Sequence, residues 1–582
     1  MLGEVPLEVG LADGLRKAAA EARLALAAED LGAGHESVVA FDGSLLWPML
    51  HAAAEEMLLI LSAPGNLTKY EEQAAGQLLT SFVPEGRLLR VALPSGAPEA
   101  VAAIEKLRPR AVGIALAGDG TSLQAAERAL ERAVHEASPG APLLMSCDVG
   151  PLWGWSDRPL EKTAVSCALL PLVEDCLAGL REGIGDEAVA AWFASLDGTL
   201  IPAALALRHP YSTLRGLPLL SLSYGAAYGH ESIDKPPVAA ASVHEMSTAV
   251  AVLPRAPASR SFSSQLLGSH IESLGVGAES PVGFVDGVWR VGTGKGLKHA
   301  VTVREVLEAA GLVASAHPEV GSAAAADLAE WAGTDPDGAV SGALSAVIDA
   351  FRAQLQPRIR QAEGAAFVGP LAGAIAAECV RGLGGGARVP PCFGAGAALG
   401  ARTAPRSSRA AESFSVSDPG RAESEVRAVL DELISLAVGD LEPMGFRRDT
   451  LAAMVWVEGA RGAHGVYPAL DREAARKAAA EVAKEVHHGQ DVALQVEVYP
   501  AAERRVTTFR AARSPLTSLQ EQRVVLPAGA ATVLRVTPAG ALSKETPTKG
   551  PALLSDPTGL VFVPEGFAAR PSEPAGVRID PL

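Results

Sequence analysis

Pro237-Val238-Ala239-Ala240-Ala241-Ser242-Val243-His244-Glu245-Met246-Ser247-Thr248-Ala249-Val250-Ala251-Val252-Leu253 reads as a strand, a polar turn and a second strand. The strands are almost wholly apolar, as buried strands are, and the turn gathers an imidazole, a carboxylate and two hydroxyls at His244, Glu245, Ser247 and Thr248. Working outward, residues 190–300 read as short strands broken by Gly and Pro turns, including 192–196 before Asp197-Gly198 and a hairpin over 282–291 turning at Asp286-Gly287. Upstream, amphipathic helices over 11–30 and 46–60 bracket a short strand at 38–41. A helix over 98–107, a strand over 111–116, a helix over 123–137 and a strand over 142–146 follow, the α/β alternation of a parallel sheet. A helix over 169–180 leads to Gly183-Ile184-Gly185, where the first domain is expected to end. Downstream, 301–312, 322–332, 338–360 and 367–383 are expected as helices and 402–422 as a surface loop. Helices at 423–441 and 472–486 are expected to flank a strand at 452–457, and the last seventy or so residues to form irregular β structure.

Composition limits the function. At 582 residues the chain has room for two to four domains, and with 48% hydrophobic and 20% charged residues it is globular. A net charge of −17 argues against nucleic acid or an anionic membrane as the main partner. The five cysteines, Cys147, Cys167, Cys176, Cys379 and Cys392, form no Cys-x-x-Cys pair and fit reduced thiols better than disulfides or a zinc site. With no basic segment leading into an apolar run at the N-terminus, the expected location is the cytoplasm, unanchored.

The 237–253 segment resembles the phosphate hairpin of a sugar-kinase/actin-type ATPase from which the phosphate-binding residues have been exchanged. An intact hairpin of that kind ends its first strand in an aspartate that holds the metal, then places two glycines whose backbone N–H groups approach phosphate. Here the aspartate position reads Ser242, the glycine pair His244-Glu245, and a second aspartate position Ala249. Glu245 would also set a negative charge where a polyphosphate sits.

Further blocks resemble, in order, the A-type subunit of the hydantoinase/5-oxoprolinase/acetone carboxylase family. Leu107 through Leu116 is similar to its N-terminal α/β unit, and Lys162-Thr163-Ala164-Val165-Ser166-Cys167-Ala168-Leu169-Leu170-Pro171 to its Thr-rich segment. Asp197-Gly198-Thr199-Leu200 and the later Pro210-Tyr211-Ser212-Thr213-Leu214 match the segments leading to the hairpin. Leu274-Gly275-Val276-Gly277-Ala278-Glu279-Ser280 resembles a glycine-rich loop. Phe367-Val368-Gly369-Pro370 with Val389-Pro390-Pro391 and Gly394 to Gly400 resembles the adenosine-side loop and its Val-Pro-Pro continuation.

The resemblance implies an α/β fold with two ribonuclease-H-like lobes of the actin/sugar-kinase/Hsp70 type and a smaller C-terminal α+β region. It divides the chain at 1–185, 186–402, 403–510 and a β-rich tail at 511–582. For intact relatives it implies ATP-dependent activation of a lactam, hydantoin or enolate oxygen beside a B-type partner subunit.

Departures from the family pattern weaken the ATP site. The first phosphate hairpin, Asp-x-Gly-Gly-Thr-x-Thr-Asp, is not found before residue 11, and Phe41-Asp42-Gly43-Ser44 stands where His-Gly-Thr-Thr is usual. Losing three or four charge-assisted contacts is on the order of 5 kcal/mol or more. The expectation is therefore a divergent scaffold or regulatory subunit whose vestigial nucleotide site is Ser247, Thr248, Gly275, Gly277 and Gly369, with no cofactor assigned and no metal site. The alternatives are an active cyclic amide hydrolase or ketone carboxylase subunit using ATP and Mg, and a stand-alone small-ligand-binding protein. A B-type subunit is the expected partner, with homodimerisation also open.

Other motifs have ordinary readings. Gly292-Thr293-Gly294-Lys295-Gly296 lacks P-loop spacing and reads as a surface turn. His487-His488 near Asp491 read as a solvated helix end rather than a metal site, and Trp153 and Trp155 as core before pocket or interface. His244-Glu245 as an acid/base pair is weighed against drift at a released site. Cys147 and Cys392 read as small buried hydrophobes unless a histidine lies beside them.

Overall fold

The computed structural model describes residues 36–41, 50–63, 83–92, 97–116, 121–137, 142–146, 159–184, 190–196, 198–214, 216–233, 237–244, 247–253, 272–292, 299–315, 317–415, 421–459, 462–468, 491–501, 520–527, 531–573 and 575–582, with a few single positions between them. The chain divides into two compact units, Met1–Gly216 with Pro405–Arg504, and Leu217–Ala404 with Arg505–Leu582.

In the first unit a four-stranded parallel sheet runs in the order Leu88–Ala92, Met57–Ala63, Ala111–Leu116, Leu143–Met145. Leu58 and Ile60 enter one core, with Ile104 and Val134, while Leu59 and Leu61 enter the opposite core, with Ala164 and Val173. The helix expected to reach residue 60 is thus corrected, since Met57–Ala63 is a strand. A run apolar at every position suits a strand covered on both faces, not a one-sided helix. The helix expected over 169–180 extends from Pro159 to Ile184. Its Glu161–Arg181 portion is long and apolar enough to cross a membrane but is mostly buried within the protein, as a core helix is.

The loop expected over 402–422 is also corrected. Ser408–Ser415 is a strand paired along its whole length with Asp491–Pro500, in a four-stranded antiparallel sheet backed by helix Ala422–Leu441. Polar anchors hold this strand despite its low β-propensity. Arg409 donates to Glu497 at 2.9 Å, and Ser408 Oγ donates to Asp440 at 2.5 Å. Asp440 is buried and also accepts from Arg208 Nη1 at 2.8 Å.

His209, next in the chain, is buried, and desolvation followed by the Arg208 charge pulls its pKa down to about 3. The unfolded chain takes up a proton below its own pKa near 6.5 and the folded one does not, so stability falls as pH drops from about 6.5 toward 3. At pH 5 this site is expected to cost about 2 kcal/mol relative to pH 7. Urea unfolding at the two pH values checks it: His209→Gln should show a smaller difference than wild type, and equal differences would refute the assignment.

The second unit contains the hairpin read from the sequence. Strand β1 (Val238–Val243) pairs antiparallel with β2 (Thr248–Leu253), placing Ser242 opposite Ala249. Strand β3 (Glu272–Leu274) adds to β2. A three-stranded sheet of β4 (Pro281–Val285), β5 (Val288–Val291) and β6 (Val301–Thr302) comes next, its first turn made by Asp286 at φ 52° and Gly287 at φ 80°, as Asp-Gly predicts. Strands β7 (Gly364–Val368) and β8 (Gly386–Val389) lie parallel to β1.

The C-terminal segment is more regular than expected. It forms β9 (Glu521–Val525), β10 (Ala531–Pro538), β11 (Thr548–Lys549), β12 (Ala552–Asp556), β13 (Gly559–Val563), β14 (Phe567–Pro571) and β15 (Val577–Pro581). Three of these complete an eight-stranded sheet, β3-β2-β1-β7-β8-β15-β14-β11, and the other four form a sheet of their own.

Residues 190–300 are not all strand. Helix α1 (Gly216–Ser232) lies across β1 and β7, with Gly225 against Val368 and Gly229 against Val238. A Cβ at 229 would come within 2.6 Å of Val238 Cγ1. The opposite face is covered by α2 (Val303–Ala309), α3 (Pro318–Ala332) and α4 (Pro336–Ile359), with α5 (Ala372–Cys379) and α6 (Gly396–Thr403) after β7 and β8. Helix α2 starts on a capping box, Thr302 with Glu305, so the helix expected from 301 begins after a two-residue strand. The helix expected over 367–383 is likewise shortened to α5, because residues 367–368 finish β7.

Candidate functional site

Strands β1 and β7 run parallel, and the C-terminal edge of such a pair is where α/β sheets gather ligand-binding loops. Register delivers the sequence-derived residues to that edge. Ser242 lies opposite both Ala249 and Val368. Thr248 opposes Leu274, which puts Gly275 and Gly277 just beyond it, and Gly369 comes directly after Val368. Ser247, Thr248, Gly275, Gly277 and Gly369 therefore share one end of the sheet.

Thr248, Gly277 and Gly369 each donate a hydrogen bond within the protein. His244 N–H donates to Ser247 O at 3.0 Å, closing the turn, and Ala278 N–H donates to His244 O at 2.9 Å. Gly277 N–H donates to Ser280 Oγ at 2.9 Å, and Gly369 N–H to Phe393 O at 2.8 Å. Thr248 Oγ1 donates to Val276 O at 2.8 Å. Ser242 Oγ and His244 Nε2 are hydrogen-bonded at 2.5 Å, and both residues are buried.

Gly369 has φ +100°, and a Cβ there would lie 2.1 Å from Val243 O, so the fold itself demands glycine. Gly275 is different: it is exposed, with open space where a Cβ would stand.

Ser242 and Ala249 stand at the two positions where the resemblance expects metal-holding carboxylates, and the His244, Gly277 and Gly369 amides have acceptors within the protein. If the Thr248 hydroxyl is structural, Thr248→Val should cost about 1–2 kcal/mol by leaving Val276 O unsatisfied. Urea denaturation reads this, and an unchanged midpoint would contradict it.

Asp556 and Thr558, which the sequence does not single out, anchor the loop after β8. After β8, Cys392 takes φ 55° and donates its N–H to Asp556 Oδ2 at 3.0 Å, while Gly394 N–H donates to Thr558 Oγ1 at 2.9 Å. The turn signal Asp556-Pro557-Thr558-Gly559 is visible in the sequence, but its partners lie 164 positions away. Burial, then the Asp556 charge, pushes the Cys392 thiol up to about 11, the reverse of nucleophile activation. Burial likewise raises Cys167, Cys176 and Cys379, and all four described cysteines are free. Among the described residues no cluster of His, Cys, Asp and Glu could hold a metal. Glu245, Cys147, Trp153, Trp155, residues 293–298, His487, His488 and the helix expected at 11–30 lie outside the described residues, as does most of that expected at 472–486.

No family model matches the sequence, and no curated protein matches it. Solved structures do. The nucleotide-free structure of acetone carboxylase, from work on ATP-dependent acetone carboxylation, superposes with a TM-score of 0.66 at 12% identity, covering 94% of this chain and 90% of that one. The ATP-dependent caprolactamase of Pseudomonas jessenii superposes at 0.59 and 14% identity, covering 99% and 95%. Both neighbours are hydantoinase/oxoprolinase-family proteins, and the likeness establishes a shared mixed α/β fold.

Proposed function

We propose that this chain, built on the fold of an acetone carboxylase and a caprolactamase, is a divergent subunit of a hydantoinase/oxoprolinase/ketone carboxylase-type complex that has given up its own ATP site and acts as scaffold or regulator. The strand order β3-β2-β1-β7-β8, with the first three antiparallel and the last two parallel to β1, is our basis for assigning a ribonuclease-H-like lobe of the actin/sugar-kinase kind to the second unit. A corresponding lobe is assigned to the first unit. The reading also includes a B-type partner subunit and a cytoplasmic location.

One observation supports the loss of ATP: the His244 amide that closes the turn, the Gly277 and Gly369 amides and the Thr248 hydroxyl all have acceptors within the protein. To take a polyphosphate, the turn would have to break those bonds and accept anionic oxygens with neither carboxylate present to hold a metal. At about 1.4 kcal/mol per decade, a deficit of roughly 5 kcal/mol moves micromolar binding past the millimolar range.

Calorimetric titration with ATP and magnesium into the millimolar range, on the chain alone and co-purified with a B-type subunit, tests the proposal. No saturable heat is expected in either state. Saturable binding would overturn it in favour of an active ATP-dependent cyclic amide hydrolase or ketone carboxylase subunit, and would make Ser247, Thr248, Gly275 and Gly369 the first residues to mutate.

A further inference from the structure

The turn between β12 and β13 belongs to the C-terminal segment, yet it is built into the loop after β8. Asp556 uses both carboxylate oxygens: Oδ2 accepts from Cys392 N–H, while Oδ1 accepts from Thr558 N–H at 3.0 Å and from Thr558 Oγ1 at 2.8 Å. Thr558 Oγ1 in turn accepts from Gly394 N–H. Between these two bonds sits Phe393, buried, with its ring tip 2.8 Å from where a Cβ would stand on Gly373 of α5 and 3.0 Å from the same point on Gly559. The ring therefore fills the gap between the start of α5 and the turn, and only glycines on both sides let it.

Further contacts fasten the same loop. The carbonyl of Phe393 accepts the Gly369 amide, and Tyr224 OH donates to Pro391 O at 2.7 Å. Cys392 holds a left-handed backbone conformation, which a non-glycine residue keeps only when its surroundings impose it. All of these elements lie in the second unit, at the end of β7 and β8, where the sequence resembles an adenosine-side loop.

We propose that the Asp556–Gly559 turn, with Phe393, is the resident occupant of the nucleoside side of the site, a strap that holds residues 390–396 shut. The inference rests on the nucleotide-poor reading above and adds a second cause of exclusion, independent of the altered phosphate hairpin. Loosening the strap should expose a surface that accepts a purine nucleoside.

Adenosine without metal is the probe, because lacking phosphate it does not sense the hairpin. The wild-type chain should give no saturable adenosine binding up to millimolar concentrations. In Asp556→Ala/Thr558→Ala, hydrogen exchange at the 392 and 394 amides should accelerate on the order of tenfold or more. Adenosine should then bind saturably in the millimolar range. Adenosine binding by wild type, unchanged exchange in the variant, or open amides without adenosine binding would each overturn the proposal. Should the double variant fail to fold, Thr558→Val, which keeps the side-chain shape and removes the bond to Gly394, carries the same comparison with a smaller expected rise. ATP·Mg binding by wild type would refute the functional reading and, because it seats an adenosine, this inference with it, whereas failure of the variant to bind adenosine refutes this inference alone.

Discussion

Gly369→Ala should destabilise the second unit by about 3 kcal/mol or more, the sum of forcing an alanine to φ +100° and of overpacking a site with no slack. The added Cβ would stand 2.1 Å from Val243 O, 2.9 Å from Val243 C and 3.0 Å from Val243 N. These are backbone atoms of β1, an interior strand of the eight-stranded sheet, and no side-chain rotation can move them. Gly275→Ala, by contrast, should change stability by no more than about 0.5 kcal/mol, because nothing lies within 4 Å of its Cβ position. Urea unfolding of the two variants separates the cases, and a Gly369→Ala protein with wild-type stability would show the β1–β7 edge to be looser than its geometry. At Gly369 the local packing alone calls for glycine, whatever the site binds.

Asp440→Ala should cost the first unit about 2–3 kcal/mol, since removing one partner leaves Arg208 without its carboxylate and Ser408 Oγ without its acceptor. The Arg208 side chain is 33% exposed, which places the figure below the range for a fully buried pair. Asp440→Asn, which can still accept from Ser408, should lose less. The expected signature is a lower urea midpoint together with faster amide exchange along 408–415, because Asp440 ties helix Ala422–Leu441 to that edge strand. A lower midpoint with 408–415 still protected would place the stabilisation elsewhere.

Local signals in the sequence were decisive where the structure is local. Asp286-Gly287 specifies its own hairpin, and the almost wholly apolar strands around 242–248 specify theirs. The helix α1 could not be read because Gly216-Leu217-Pro218 and the later glycines and serines carry poor helix propensity and no one-sided apolar stripe. The glycines that hide the helix in the sequence are those that let it lie against β1 and β7. Strand Ser408–Ser415 was hidden for a different reason: its partners Asp440 and Glu497 lie far along the chain, and its residues are not β-formers. Of the candidate site residues, Ser247 and Thr248 are legible because they sit in one hairpin, and Gly275, Gly277 and Gly369 because their segments resemble family loops. Asp556, Thr558 and Phe393 were not, because no spacing rule joins residues 164 positions apart.

The seam between β8 and β15 has a kinetic consequence. Arg388 and Asp580, which meet across it, are 192 positions apart. Closing a loop of that length is slow and brings no reward until most of the chain between is organised, so this seam should form late in folding. Until it does, β8 presents an unpaired backbone edge next to a half-built apolar core, the kind of surface on which partly folded chains associate. Refolding yield of this protein should therefore fall with concentration, and a partner that shields β8 during synthesis would act as a folding aid irrespective of any role in the finished complex.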